Sequence, residues 1–167
     1  MTDYALVSDQ FPWSKRLPKA AGSYALIFEL IKAADPIVIG KLGSYRIDAP
    51  LVLLYCGSAF GAGGIAARVT HHLSLPNRPH WHLDYLRPAL KPLGCVCAVG
   101  ERLECAWTQS AGASGGSLYP IPGFGAADCR AGCLSHLIGF RDLAILAEVC
   151  AELPARKRLD FSEGWLS

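Results

Sequence analysis

Between residues 51 and 73 the chain reads LVLLYCGSAFGAGGIAARVTHHL, an apolar run leading into four glycines and then Arg68, His71 and His72. Glycines placed after a strand pattern and before a helical one build the phosphate cradles of nucleotide-binding proteins. The Walker pattern GxxxxGK[ST] is absent, because no lysine follows the glycines. GAGGIA, residues 61 to 66, fits G-x-G-x-x-A, with Asp84 near the place of a ribose-binding acid. That match is weak, since three strand patterns precede the first helix and a dinucleotide fold alternates parallel strands with crossover helices. The helical pattern says more. At about 100° per residue, Ile65, Val69 and Leu73 form a core stripe, and Arg68 and His72, four apart, fall at the rim between core and solvent. An arginine offers a planar charged fork for phosphate oxygens, and a histidine one turn on can accept or give a proton near neutral pH. Both could equally be ordinary helix-surface residues.

Two further groups could carry chemistry. HWHLDYL places His80, His82 and Asp84 at alternate positions, on one face if the segment is extended, which is a spacing for zinc or a pair of metals. The same letters could begin a helix whose Trp81 and Tyr85, four apart, anchor the core. Cys129, Cys133 and His136 form C-x3-C-x2-H, which would close a zinc site if Cys95, Cys97 or Cys105 supplied a fourth ligand. Buried thiols, with Asp128 and His136 hydrogen-bonded, are the reading preferred here.

These residues need a frame. GSYALIFELI (22 to 31), PIVIGKLGSYRI (36 to 47) and LVLLYCG (51 to 57) read as three strands, and their short loops argue for an antiparallel sheet. A helix is expected from about 61 to 74, a strand at 93 to 99, and helices at 101 to 113 and 142 to 153, the last with Asp142 as N-cap. The Gly, Ser and Pro-rich loop 112 to 125 lies between. The expected fold is α+β: a small, mainly antiparallel central sheet flanked by helices. An irregular lead-in (1 to 21) precedes a single domain (22 to 153), and a polar tail (154 to 167) follows.

At 167 residues, with 51% apolar and 18% charged, the chain suits one globular domain, and a net charge of +2 leaves any basic footprint local. No run of about eighteen apolar residues occurs, so no membrane association is expected. The start lacks the basic head and apolar segment of a secretory signal, which points to the cytoplasm. The seven cysteines are an odd number and are read as reduced.

Gly22-Ser23-Tyr24 opens one strand and Tyr55-Cys56-Gly57 closes another; Arg68 follows Gly57 by eleven positions, and Glu104 follows Arg68 by 36. This order resembles the GIY-YIG nuclease superfamily. GKLGSY, YCGSAFGAGGIAARVTHHL, HWHLDYL, LEC and GFGAADC with SHL further resemble its Uri-type branch, of uncharacterised function, over about residues 22 to 140. The resemblance implies a divalent-metal-dependent nuclease acting on nucleic acid, DNA above all. Magnesium or manganese would be held by Glu104, the phosphate steadied by Arg68, and the attacking water approached by Tyr24 and Tyr55. A phenol of pKa near 10 is a poor base unless a cation stabilises its phenolate, so Tyr24 is preferred as base, Tyr55 as its partner and His72 as a rival for the proton. Lys41, Ser58, His80 and His82 would contact substrate, and Glu101 is a rival ligand to Glu104. Ser23 and Cys56, where the motif has Ile, are expected to pack, and the IVIGKLG segment between the tyrosines to be an insertion or additional strand. Lys15, Arg16 and Lys19, with Arg156, Lys157 and Arg158, would add backbone contacts. The chain may work beside a larger DNA-processing partner. Two other functions stay open: a non-catalytic nucleic-acid-binding module, and a zinc metallohydrolase using the HxHxD segment.

Overall fold

An apolar run covered on both faces makes a central strand, and GSYALIFEL forms one: β1 (Gly22–Leu30), buried throughout except Glu29. A computed structural model describes residues 15–32, 34–153 and 157–158. The lead-in expected over 1 to 21 and the tail expected over 154 to 167 therefore lie largely outside the described residues, Arg156 among them.

β1 pairs antiparallel with β4 (Val52–Ala59) on one side and β5 (Leu90–Val99) on the other. Beyond β4 lies β6 (Leu137–Phe140), and beyond β5 a two-residue edge, β7 (Lys157–Arg158), giving the order β6-β4-β1-β5-β7, antiparallel throughout. Alternation along the strands separates two cores. One face carries Tyr24, Leu26, Phe28, Leu53, Tyr55, Cys95 and Cys97; it packs on Ile65, Val69 and Leu73 of α1 (Gly64–Leu73) and on Leu83 and Leu86 of α2 (His82–Leu86). The other face, with Ala25, Ile27, Leu54, Cys56, Val96 and Ala98, takes Trp107 and Ala111 of α3 (Glu104–Gly112) and Leu146, Val149 and Cys150 of α4 (Leu143–Glu152). The fold is α+β with helices on both faces. Asp142 caps α4 as expected, its Oδ1 accepting from Ala144 N at 2.8 Å. None of the described helices is long and apolar enough to cross a membrane.

One expectation changes. PIVIGKLGSYRI is not a strand of the central sheet: it folds back on itself as β2 (Ala34–Val38) and β3 (Ser44–Ile47), a separate two-stranded sheet. Gly40 (φ 47°) and Gly43 (φ 106°) take the left-handed conformations that reverse the chain. Three of the four β3 residues are exposed or half-buried, so this segment could not occupy a central position. The hairpin is anchored to the body by buried Ile39 and Ile47. β1 and β4 therefore pair directly, as an inserted segment between them requires.

The start of α3 is tied to the start of β1. Ser23 Oγ donates to Glu101 O at 2.7 Å and accepts from Leu103 N at 2.8 Å. The residue expected merely to pack thus fixes where Glu104 enters.

Candidate active site and a cysteine-histidine cluster

Register brings the two tyrosines together. Tyr24 lies opposite Gly57 and Leu26 opposite Tyr55, so both phenols stand on the same face of adjacent strands, diagonally placed. A Cβ on Gly57 would collide with the Tyr24 ring. Tyr24 Oη lies 2.8 Å from His72 Nε2, in a hydrogen bond buried on both sides, and Tyr55 meets the His72 ring edge-on at 5.5 Å between centroids.

His72 is 1% exposed, which corrects the expectation of a rim position. The core stripe of α1 widens to include it because Trp81, just before α2, covers that flank at 5.6 Å between ring centroids. Burial lowers the imidazole to about 3; Asp84 opposes this, while His71 and Arg68 add to it. Its Nδ1 has no partner. Burial likewise raises Tyr24 well above the ordinary phenol value, with Tyr55 and Glu104 adding to the effect and Arg68 opposing it. Tyr55 is raised by burial and by Glu104, again against Arg68. At neutral pH the three rings are uncharged.

Arg68 is half-buried on α1, its Cζ 4.6 Å from the centroid of the Trp81 ring. It lines an open cleft of about 310 Å³ with Ala59, Gly61, Gly64, His71 and Trp81. The glycines shape this cleft. Gly63 (φ 80°) and Gly64 (φ 59°) turn the chain into α1, and a Cβ on Gly64 would collide with the backbone at Lys19 and Ala20. Trp81 and His71 were absent from the expected site. Their signal was HWH itself, because an aromatic between two histidines beside the arginine helix can face a cleft as well as a core.

Glu104, the first residue of α3, receives a hydrogen bond from Ser58 Oγ to its Oε2 at 2.8 Å, and its Oε1 lies 2.8 Å from His136 Nδ1. The second contact has ion-pair distance without good hydrogen-bond alignment. Burial works to raise this carboxyl, yet His136, Ser58 and Arg68 together bring it below the ordinary range, so it is ionised at neutral pH. Arg68 acts on both phenols and on Glu104, which places the four groups in one electrostatic neighbourhood.

The expected substrate contacts fall in different places. Ser58 joins Glu104. Lys41 is exposed in the 3-10 turn Gly40–Leu42 of the β2–β3 hairpin. His80 is exposed beside Trp81. His82 Nδ1 accepts from Gly125 N at 2.9 Å. Glu101, the rival ligand, is exposed ahead of α3, its carbonyl held by Ser23. HWHLDYL is not extended: α2 begins within it, and Asp84 Oδ2 accepts from His80 N and Trp81 N at 2.9 and 3.0 Å. Asp84 also faces His71 Nε2 at 3.2 Å, joining α2 to α1. Asp84 therefore caps a helix, and the one-face spacing expected for a metal is not formed.

A second constellation lies beyond Glu104. Cys105, Cys129, Cys133 and His136 bring one ligand atom each to within 4.8 Å of one another. This Cys3His cluster could hold a metal ion, and its soft donors suit zinc better than magnesium. Buried, unliganded thiols were the preferred reading of these residues. The structure instead gathers them half-exposed, with Cys105 in the place of the fourth ligand. Burial tends to raise Cys129, but backbone N–H groups of Cys133 and Ala131, with His136, bring it down to about 6.

Among known families, residues 23–158 match the model of one described as a domain of unknown function, DUF123. No curated protein and no solved structure matches.

Proposed function

We propose that this chain, which belongs to the DUF123 family, is a divalent-metal-dependent nuclease of the GIY-YIG type, hydrolysing phosphodiester bonds in nucleic acid, DNA in the first place. The observation that carries this reading is the meeting of Tyr24 and Tyr55 on one face of adjacent strands, with Arg68 and Glu104 acting electrostatically on both.

Glu104 fits a hard cation: it is ionised, and Ser58 and His136 leave lone pairs unused on both oxygens. Magnesium or manganese bound there would neutralise charge on the phosphate and acidify a water. Arg68, at the edge of an open cleft, takes the non-bridging oxygens. Tyr24 orients the attacking water; as it accepts the water's proton, its own passes to His72 Nε2 along the 2.8 Å hydrogen bond, so no free phenolate is required. Tyr55 holds the His72 ring. Trp81 gives the cleft an aromatic wall on which a base can stack. Exposed Lys15 and Lys19, near the glycine turn, add phosphate contacts. Free cysteines fit a reducing compartment such as the cytoplasm.

The second reading, a nucleic-acid-binding module without turnover, is favoured by the burial of both phenols, 2% and 7% exposed. Cleavage assays on single-stranded, duplex and branched DNA and on RNA, with magnesium or manganese, separate the two. Cutting that disappears in Tyr24→Phe, Arg68→Ala and Glu104→Ala supports the enzyme. Binding without cutting on every substrate supports the module.

A further inference from the structure

We propose that Cys105, Cys129, Cys133 and His136 bind one zinc ion in a closed, four-coordinate structural site that also fixes the orientation of Glu104.

The distances argue for a shared ion and against a covalent link. Cys105 Sγ lies 3.7 Å from Cys129 Sγ and 3.9 Å from His136 Nε2. Two Zn–S bonds of about 2.3 Å at a tetrahedral angle separate their sulfurs by roughly 3.8 Å, whereas a disulfide needs about 2.05 Å. All three thiols are free. The donor set contains sulfur and imidazole nitrogen and no oxygen, which selects zinc over magnesium or calcium. With four protein ligands no position remains for water or substrate, so the ion is structural.

The surrounding chain needs such an ion. Residues 113–136 run from α3 to β6 without a helix or strand. Loops this long inside a compact domain are uncommon unless something ties them down. Cys129, Cys133 and His136 come from the end of that loop and Cys105 from the first turn of α3, so one ion would staple the loop to the helix. The histidine faces two ways: Nε2 toward the thiols, Nδ1 toward Glu104 Oε1 at 2.8 Å. A carboxylate on the far nitrogen of a metal-bound histidine is a recurrent second-shell arrangement. Metal on Nε2 would hold the proton on Nδ1 and direct it at Glu104, aligning a contact that is close but oblique in its absence.

Zinc content and optical spectra test this without any substrate, so their outcome is separate from that of the nuclease reading. Protein expressed with zinc and passed through gel filtration should carry about one zinc per chain by mass spectrometry. Reconstitution with cobalt(II) should give thiolate-to-metal charge-transfer absorption and the intense visible bands of a tetrahedral ion. Cys129→Ser and His136→Gln should lose those bands, while Cys95→Ser, in the core pair Cys95 and Cys97, keeps them. Glu104→Gln should weaken zinc affinity roughly 10- to 100-fold, the usual effect of removing a carboxylate behind a metal-bound histidine. Should the ligand variants not fold, the intact protein decides alone. Zinc far below one per chain together with a weak octahedral cobalt spectrum overturns the site, as does loss of the bands in Cys95→Ser. Unchanged affinity in Glu104→Gln overturns the link to Glu104.

Discussion

Acid should weaken this fold through one residue, His72. Burial brings its imidazole down to about 3, with Asp84 favouring the charged form and His71 and Arg68 opposing it. In the unfolded chain the same group titrates near 6.5. Below that value the unfolded state binds a proton that the folded state refuses. The stability contributed by the neutral ring is therefore full above about pH 6.5 and falls as the pH drops toward 3. At pH 5 protonation favours the unfolded chain by RT ln(1 + 10^1.5), about 2 kcal/mol, and at pH 7 by only about 0.2. A folded value anywhere between about 2 and 4 leaves this difference nearly unchanged, because the folded ring is still neutral at pH 5. Other groups titrate over the same range, so the measurement is a comparison. His72→Gln keeps a polar partner for Tyr24 Oη and cannot titrate. Urea unfolding at pH 7 and pH 5 should show the natural protein losing about 2 kcal/mol more than this variant. Equal losses, or an imidazole resonance for His72 that titrates near pH 6.5, would refute the reasoning.

Three more outcomes are expected. Tyr24→Phe leaves His72 Nε2 buried without its partner, beside an Nδ1 that already has none; the cost should be about 1–3 kcal/mol, read as a lowered urea midpoint. Gly57→Ala drives a methyl into the Tyr24 ring and should cost about 1–3 kcal/mol while breaking the same hydrogen bond, seen as restored titration of His72 by NMR. Ser23→Ala unpairs the Glu101 carbonyl and the Leu103 amide in a fully buried position; a loss of about 1–3 kcal/mol is expected, with turnover reduced more than substrate affinity because the start of α3 is displaced.

Most of the frame was legible because its signals are local. GSYALIFEL is apolar on both faces and became the central strand; LVLLYCG and the helix after the glycines fell within a few residues of their expected ends. PIVIGKLGSYRI misled because a run of strand-forming letters does not reveal that Gly40 and Gly43 reverse it. HWHLDYL is too short for a period of two to be told from the first turn of a helix, and the deciding fact, Asp84 capping two amides, is a contact. LIGF, only four residues long, gave no pattern, yet it forms β6. At the site, the neighbourhood of Tyr24, Tyr55, Arg68 and Glu104 followed from their order in the chain. The depth of His72 did not, because it depends on Trp81 arriving from the next segment. The role of Cys105 was hidden for a similar reason: it stands 24 positions before Cys129, and only the packing of α3 beside β6 brings the thiols together.

The β2–β3 hairpin leaves and re-enters the body between the two strands that carry the tyrosines, and the ladder joining those strands closes without it. Linear distance between the motif halves is therefore a poor ruler for finding kindred sequences. A pattern that fixes the interval would discard chains whose excursion is longer or shorter, although their paired strands present the same two rings. The same detachment makes the GKLG tip a natural port for grafting: a peptide tag or recognition loop inserted there leaves the inter-strand pairing beneath it intact.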